Sequence, residues 1–308
     1  MTTVMKMTKT NIDSNFSEMK SEFQRCSMLV EEKLSGYFLQ KAGYETLLEA
    51  MRYSLLGGGK RIRAVLCLKF CEAVGGDISK AINNACALEM LHSYTLIHDD
   101  LPCMDNDDFR RGKPSNHIKY DLFTATLAGD ALQAAAFETL LKSNLPAETV
   151  VEMGKVFAEA AGPHGICAGQ YLDISGEGKN HTETQLKEIH NLKTSALISV
   201  SSKLGVLAAG GTAKQITAAE KYSKALGLAF QVRDDLLDIT STPEELGKPV
   251  GSDKKEGKIT FASIYGVEKC NQIIKEETQK AIDAISGGIF NDDRFLIWLA
   301  VMLENRKS

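Results

Sequence analysis

Residues 122–141, LFTATLAGDALQAAAFETLL, are apolar almost all the way round when drawn as a helix, and residues 195–209, SALISVSSKLGVLAA, share this pattern. A helix that is apolar on every side must be covered by other helices. Most other windows also repeat their apolar positions at helical spacing, and β-branched clusters with turn dipeptides are scarce. The sequence therefore predicts an all-α fold with a buried central layer.

Length and composition narrow the function classes. The chain has 308 residues, of which 44% are hydrophobic and 25% charged, a balance typical of a folded globular protein. No shift in composition marks a boundary, so we expect one domain over residues 1–308, with residues 1–20 as a flexible arm. The net charge of −4 offers no global basic field for nucleic acid or an anionic membrane. No apolar stretch is long enough for a spanning helix, so stable membrane association is not expected.

The cysteines predict a reducing compartment. There are seven, an odd number, and the only close pair is Cys67 and Cys71, with no second pair to complete a zinc site. We therefore expect free thiols and a cytoplasmic location. The first residues lack the apolar core of a signal peptide, and they lack Arg while carrying Asp13 and Glu18, which argues against a plastid transit peptide.

A first acidic cluster lies at residues 98–112, HDDLPCMDNDDFRRG. Its five aspartates follow an apolar helix, where they repel one another and face the negative end of the helix dipole. A divalent cation with oxygen ligands would relieve both problems, and a break at Pro102 would bring Asp99 and Asp105 to one ion. The alternative is a solvated loop with local arginine pairs.

A second cluster follows the apolar residues LGLAFQV. Asp234 and Asp238 are four residues apart and share one helical face, and Asp235 lies beside them. Carboxylates at the end of such a helix point into a bundle, where two facing clusters could share several Mg²⁺ ions. Mg²⁺ favours a few carboxylates together with waters and substrate phosphates.

Basic residues accompany both clusters. They occur in GGGKRIR at residues 57–63, at Arg110 and Arg111, at Lys193, and in the glycine-rich stretch 241–258. Arg and Lys bind phosphate, although each alone is more often a solvated surface group. Taken with the aspartates, they predict a site for Mg²⁺ and a polyanionic phosphate.

The motifs GGGKRIR, HDDLPCMDNDDFRRGKP, LAGDAL, GQYLDI, LKTSALI, FQVRDDLLD and GKPVGSDKKEGKITF occur in this order over roughly residues 50–265. Together they resemble the trans-isoprenyl diphosphate synthases of the polyprenyl synthetase family. The resemblance implies the isoprenoid synthase type of all-α fold, a bundle of about ten or more mostly antiparallel helices around a deep central cavity, together with a homodimer and condensation of isopentenyl diphosphate with an allylic diphosphate. It also implies three Mg²⁺ ions per active site, with Mn²⁺ as a substitute.

The resemblance assigns roles to particular residues. The metals would be held by Asp99, Asp105 and Asp234 directly, with Asp100, Asp235 and Asp238 in support. Isopentenyl diphosphate would be bound by Lys60, Arg63, His92 and Arg111. The allylic diphosphate would be bound by Arg110, Lys193, Lys248 and Lys258, and Thr194 and Gln231 would present oxygens to the allylic cation.

Product length depends on the cavity floor. The family places the floor four and five residues before the first aspartate, which here are Thr95 and Tyr94. A bulky Tyr94 resembles farnesyl (C15) synthases, and C15 is our expectation. The alternative is a geranylgeranyl (C20) synthase, because DDLPCMDNDD and the Cys67–Cys71 pair resemble plastid-type enzymes, in which the cysteines mediate subunit contacts; the pair could equally be plain core packing.

Three other functions are weighed against this one. A class I terpene cyclase would not need GGGKRIR, RRG and a complete second DDLLD motif. A non-catalytic regulatory subunit typically loses one aspartate motif, and both are intact here. A structural helical bundle would leave the matched basic motifs without a purpose.

Overall fold

The structure is a computed structural model that describes residues 9–41, 43–176, 178–179, 182–240 and 260–306. The all-α prediction is confirmed: helices form most of the described chain, joined by turns and loops. The helices are α1 Lys9–Ser35, α2 Glu45–Leu55, α3 Ile62–Val74, α4 Ile82–Asp99, α5 Asn116–Lys119, α6 Leu122–Leu141, α7 Ala147–Ala161, α8 Ile166–Ser175, α9 Glu183–His190, α10 Ala196–Ala208, α11 Ala213–Thr240, α12 Phe261–Ile285 and α13 Arg294–Glu304.

Shorter elements join these helices where the chain must turn sharply. A 3₁₀ turn covers Ile78–Lys80, and a π-helical turn covers Asn191–Ser195 between α9 and α10. Two short strands, β1 Phe109–Arg110 and β2 Lys113–Pro114, pair in antiparallel fashion directly after the first aspartate cluster.

The two all-apolar segments of the sequence form central helices. The segment 122–141 coincides with α6, which packs along α4, and the segment 195–209 contains α10, which packs between α3 and α11. A Cβ added at Gly205 of α10 would overlap with the carbonyl oxygen of Cys67, so the two helix backbones nearly touch. Cys67 and Cys71 are fully buried at this crossing. In this chain the cysteine pair is therefore part of the core rather than an exposed contact surface.

The amino-terminal segment is more ordered than the sequence suggests. Residues 1–8 lie outside the described residues, but residues 9–20, expected to be part of a flexible arm, form the first turns of α1. Phe16 packs edge-on against Trp298 of α13 with ring centroids 5.7 Å apart, and Phe23 lies 6.2 Å from the same ring. Contact with α13 thus gives this helix a partner that no local pattern reveals.

Candidate active site

The first aspartate cluster lies where α4 ends. The helix stops at Asp99, and the following turn folds back so that the backbone N–H of Asp105 donates to the carbonyl oxygen of Asp99 at 2.9 Å. Burial raises the pKa of Asp99 to about 7, the nearby Lys193 opposes this rise, and the charge of Asp105 adds to it. Carboxylates that are crowded and partly desolvated in this way gain from a bound cation.

Asp100 points to a different partner. It is buried, and Arg110 of β1 donates from Nε to its Oδ1 at 2.9 Å while also pairing with Asp107 at 3.2 Å. The carboxylate thereby holds the arginine beside the cluster. The structure thus fits a supporting role for Asp100 better than direct contact with a metal ion.

The second cluster lies near the end of α11. Asp235 and Asp238 are buried, whereas the side chain of Asp234 is 43% exposed and forms an ion pair with Arg306. Asp235 accepts a hydrogen bond from the backbone N–H of Phe261 at 2.9 Å. Because this N–H belongs to the first turn of α12, Asp235 caps that helix and gains from its dipole.

A π-helical turn presents the next two predicted residues. Lys193 forms an ion pair with Asp173 of α8, and the Thr194 hydroxyl donates to Gln231 Oε1 at 2.9 Å. Gln231 in turn donates from Nε2 to Asp235 at 3.1 Å, so its amide orientation is set by both neighbours. π-turns are rare and are frequent at functional sites. This one joins Thr194 to the second aspartate cluster.

Close backbone contact fixes that turn against α8. A Cβ added at Gly169 would overlap with the backbone nitrogen of Lys193, so only glycine permits the observed approach. The π-turn and α8 are therefore held in one register, which places Lys193 beside Asp173.

The basic residues of GGGKRIR meet those of RRG. Arg63 Nη1 lies 3.3 Å from His92 Nε2, and the Arg111 guanidinium lies so close to Gly59 (φ +124°) that an added Cβ would be 2.8 Å from Arg111 Cζ. Burial lowers the pKa of His92 well below its usual value, and Arg63 and Arg111 lower it further. This concentration of positive charge around a neutral histidine is suited to an anion.

Lys60 connects this basic pocket to the second aspartate cluster. Burial and the charge of Arg306 lower its pKa, and the carboxylate of Asp234 opposes them. The same carboxylate acts on the half-buried Arg63. Lys60, Arg63 and Asp234 thus lie within electrostatic reach of one another, although 171 residues separate Arg63 from Asp234 along the chain.

An apolar cavity of about 400 Å³ opens beside Asp99, between α4 and α8. Thr95 and Tyr94 both line it, as the resemblance implies for the floor residues. The Tyr94 hydroxyl lies 3.7 Å from the sulfur of Cys167, while the Thr95 hydroxyl donates back to the carbonyl of His92 at 2.8 Å. The cavity is suited to a hydrocarbon chain whose polar end is held at the aspartates.

Among the described residues, no group of three or more His, Cys, Asp or Glu side chains is arranged to bind a metal ion. The described residues do provide carboxylate oxygens at two places, with Asp99 and Asp105 at the end of α4 and Asp234 on α11. This donor set fits Mg²⁺, which retains waters and takes its remaining ligands from substrate phosphates.

Two residues that the sequence assigns to the site lie outside the described part of the chain, and two other residues have contacts that the sequence did not predict. Lys248 and Lys258 lie outside the described residues, so their role stays a prediction. Arg306 was not anticipated, because no motif surrounds it. Asp173 lies in the motif GQYLDI, to which the sequence gives no role. Its salt bridge with Lys193 indicates that it positions this lysine. Among the described residues no helix is long and apolar enough to span a bilayer.

Comparison with known proteins identifies the family. The model of the polyprenyl synthetase family matches residues 44–287. This chain belongs to the polyprenyl synthetase family. Geranylgeranyl pyrophosphate synthase 3 of Arabidopsis thaliana, a chloroplastic enzyme, is 46% identical over 248 residues, which are 79% of this chain and 69% of that protein. A heterodimeric geranylgeranyl pyrophosphate synthase large subunit 1 of the same plant, also chloroplastic, is 45% identical over 261 residues, 82% of this chain and 70% of that protein.

The fold agrees with this placement. The crystal structure of an FPP/GFPP synthase from Zymomonas mobilis has a TM-score of 0.83 and 30% identity, and the match covers 94% of this chain and 99% of that one. The chain is therefore a short-chain trans-prenyltransferase of the polyprenyl synthetase family.

Proposed function

We propose that this polyprenyl synthetase joins isopentenyl diphosphate to an allylic diphosphate and releases geranylgeranyl diphosphate (C20). The single observation that supports the reaction is that the π-helical turn connects the two aspartate clusters beside an apolar cavity. Lys193 of this turn acts electrostatically on Asp99, which lines the cavity. Thr194 of the same turn is hydrogen-bonded through Gln231 to Asp235. The C20 length rests on relatives that are about 45% identical and are named geranylgeranyl pyrophosphate synthases.

Each part of the site has a task in this reaction. Lys60, Arg63, His92 and Arg111 bind isopentenyl diphosphate, and Arg110 and Lys193, with Lys248 and Lys258, bind the allylic diphosphate. Lys193 exchanges Asp173 for the diphosphate when substrate arrives. Asp99, Asp105 and Asp234, supported by Asp100 and Asp238, would hold up to three Mg²⁺ ions, which Mn²⁺ replaces. When bound, these ions neutralise charge that develops on the leaving diphosphate.

The chemistry needs few groups that transfer protons. The C–O bond of the allylic substrate breaks with its electron pair on the diphosphate, and the allylic cation that remains lies in the apolar cavity. Oxygen dipoles of Thr194 and Gln231 face the cation, in an orientation set by their mutual hydrogen bond. The double bond of isopentenyl diphosphate then supplies the electron pair of the new carbon–carbon bond, and the released diphosphate accepts the proton that is lost.

A second product, farnesyl diphosphate (C15), is favoured by one observation. Tyr94 lies five residues before Asp99, about 7.5 Å along the helix, and it lines the cavity at that depth. A bulky residue so close to the aspartates stops a growing chain early.

Product analysis separates the two lengths. Purified protein receives Mg²⁺, labelled isopentenyl diphosphate and, in separate reactions, dimethylallyl, geranyl or farnesyl diphosphate, and chain length is measured by mass spectrometry. C20 with farnesyl diphosphate accepted as a primer supports the proposal. C15 with farnesyl diphosphate refused supports the second candidate. Cyclic hydrocarbon would mean a terpene cyclase, and no product from any primer would mean a regulatory subunit.

We also propose a homodimer and a cytoplasmic location, as expected from the sequence. The outer face of α6 supports the dimer, because Phe123 and Leu127 are 69% and 50% exposed there. A relative that is the large subunit of a heterodimer makes a heteromeric partner the alternative.

The chloroplastic relatives make a plastid the alternative location, and imaging of the tagged protein in its own cells distinguishes the two compartments.

A further inference from the structure

The cavity beside Asp99 is lined mainly by residues of two helices, α4 and α8. On α4, Asp99 marks the mouth and Tyr94 lies about 7.5 Å deeper. On α8, Cys167, Tyr171 and Ile174 line the same cavity at helical spacing. Tyr94 and Cys167 therefore lie on different walls of this cavity, and the side chain of Cys167 is exposed.

The two side chains meet across the cavity. Tyr94 Oη lies 3.7 Å from Cys167 Sγ, and both residues line the cavity. The thiol has a second contact that restrains it, because Cys167 Sγ donates to the carbonyl oxygen of Ala161 at 3.2 Å. A chain growing past this depth must displace both side chains and not the tyrosine alone.

Tyr94 is supported on its own side as well. Its ring packs edge-on against His98 at 5.4 Å, and His98 Nε2 hydrogen-bonds the carbonyl of Thr126 on α6 at 3.1 Å. Gly129 leaves the room that this imidazole occupies, since a Cβ there would overlap with the ring. Three helices thus restrain the phenol, so the cavity end is well defined.

We propose that Cys167 is a specificity-determining residue that sets product length together with Tyr94, as the second half of a floor built from two helices. This inference rests on the proposed prenyltransferase function and identifies a residue of the same site. A cysteine side chain is small, so a larger residue at this position raises its side of the floor while Tyr94 keeps its ring contact with His98.

Substitutions at both residues test the pair. Cys167→Phe and the milder Cys167→Met should shorten the main product by at least one C5 unit, and Tyr94→Ala should lengthen it. The double variant Tyr94→Ala/Cys167→Phe should recover the wild-type length, because the new ring fills the space that the phenol leaves. Ala168→Phe is the matched control, since this neighbouring residue does not line the cavity; it should leave the product length unchanged.

A binding measurement makes the test independent of turnover. Unreactive thiolo-diphosphate analogues with C10, C15 and C20 chains are titrated calorimetrically into wild-type protein and Cys167→Met. We expect the variant to lose at least tenfold affinity for the longest chain that the wild type accepts and less than twofold for C10. Equal losses at all lengths, or product lengths that do not change in folded, active Cys167 variants, would overturn the inference. A wild-type protein that binds the analogues but makes no product would contradict the proposed function alone.

Discussion

Arg306 places a fixed positive charge at the second aspartate cluster. Its guanidinium lies 3.8 Å from the centroid of the Phe230 ring, donates to the Phe230 carbonyl at 3.1 Å and pairs with Asp234. The side chain is only 9% exposed, so this position is well packed. A cation that binds at Asp234 must compete with this arginine.

Removing that competitor should strengthen metal binding. We expect Arg306→Ala to lower the dissociation constant for Mn²⁺ about two- to fivefold, the size of effect typical of a half-exposed ion pair. Isothermal titration with Mn²⁺ in the absence of substrate measures it directly. Arg294→Ala is the control, because Arg294 pairs with Asp292 at the other end of α13. Unchanged or weaker Mn²⁺ binding in Arg306→Ala would contradict the competition.

His190 is a pH-sensitive residue outside the two aspartate clusters and the basic pocket. Burial lowers its pKa to about 4, Asp173 opposes this change and Lys193 adds to it, and its ring packs on Phe261 at 5.5 Å. A histidine in the unfolded chain has a pKa near 6.5. As the pH falls from about 6.5 to about 4, the unfolded chain takes up the proton first, so folding stability is lost in that range and not above it.

Replacing the imidazole should reduce this loss. We expect His190→Phe to keep the ring contact and to show a smaller decrease in unfolding free energy between pH 8 and pH 5, by at most about 1.4 kcal/mol per pH unit. Urea unfolding at several pH values gives the difference. His164→Gln, at an exposed position, should follow the wild-type curve. A His190→Phe curve parallel to that of the wild type would show that this histidine is not responsible.

At the scale of elements, the sequence predicts the helices better than their junctions. The apolar segments that became α6 and α10 are visible because a fully buried helix needs no polar face. The π-turn is not visible, because Asn191–Ser195 has the same apolar spacing as the helices beside it. Likewise, Asp235 caps α12 from 26 residues away, a contact that depends on tertiary packing rather than local pattern.

Sequence patterns have the same limit at the candidate active site, where contacts made by tertiary packing are not visible. The aspartate and basic motifs could be found because their charge is improbable inside apolar helices unless it binds something. Arg306 and Cys167 could not, since each is a single residue whose role comes from what the fold places opposite it.

The register between α8 and the π-turn should depend on Gly169. We expect Gly169→Ala to cost about 2 kcal/mol of unfolding free energy through overpacking and to lower kcat at least tenfold, because Lys193 must move. Gly154→Ala on α7 is the matched control: its new Cβ would lie 3.8 Å from Leu141, so it should be neutral or stabilise the helix by about 0.5–1 kcal/mol. Thermal unfolding and steady-state kinetics measure both. Equal behaviour of the two variants would mean that the contact at Gly169 does not hold the turn.

At the scale of the whole molecule, α6 connects the cavity to the outer surface. Its inner face carries Thr126 and Gly129, which support His98 behind Tyr94, and its outer face exposes Phe123 and Leu127. Exposing these apolar side chains to water is unfavourable in free energy. A second copy of the chain that covers this face would also stiffen the support of the cavity floor.

The last prediction concerns this face. We expect the wild type to sediment as a dimer and Leu127→Asp to sediment as a monomer at micromolar concentration, because a carboxylate at a buried contact is costly. Val267→Asp is the control, since Val267 is 44% exposed on α12, away from α6, and should leave the dimer intact. If the dimer supports the floor, the monomeric variant should also produce a broader range of product lengths. A wild type that sediments as a monomer would refute the homodimer and direct attention to a different partner chain, and a dimer that survives Leu127→Asp would place the interface elsewhere.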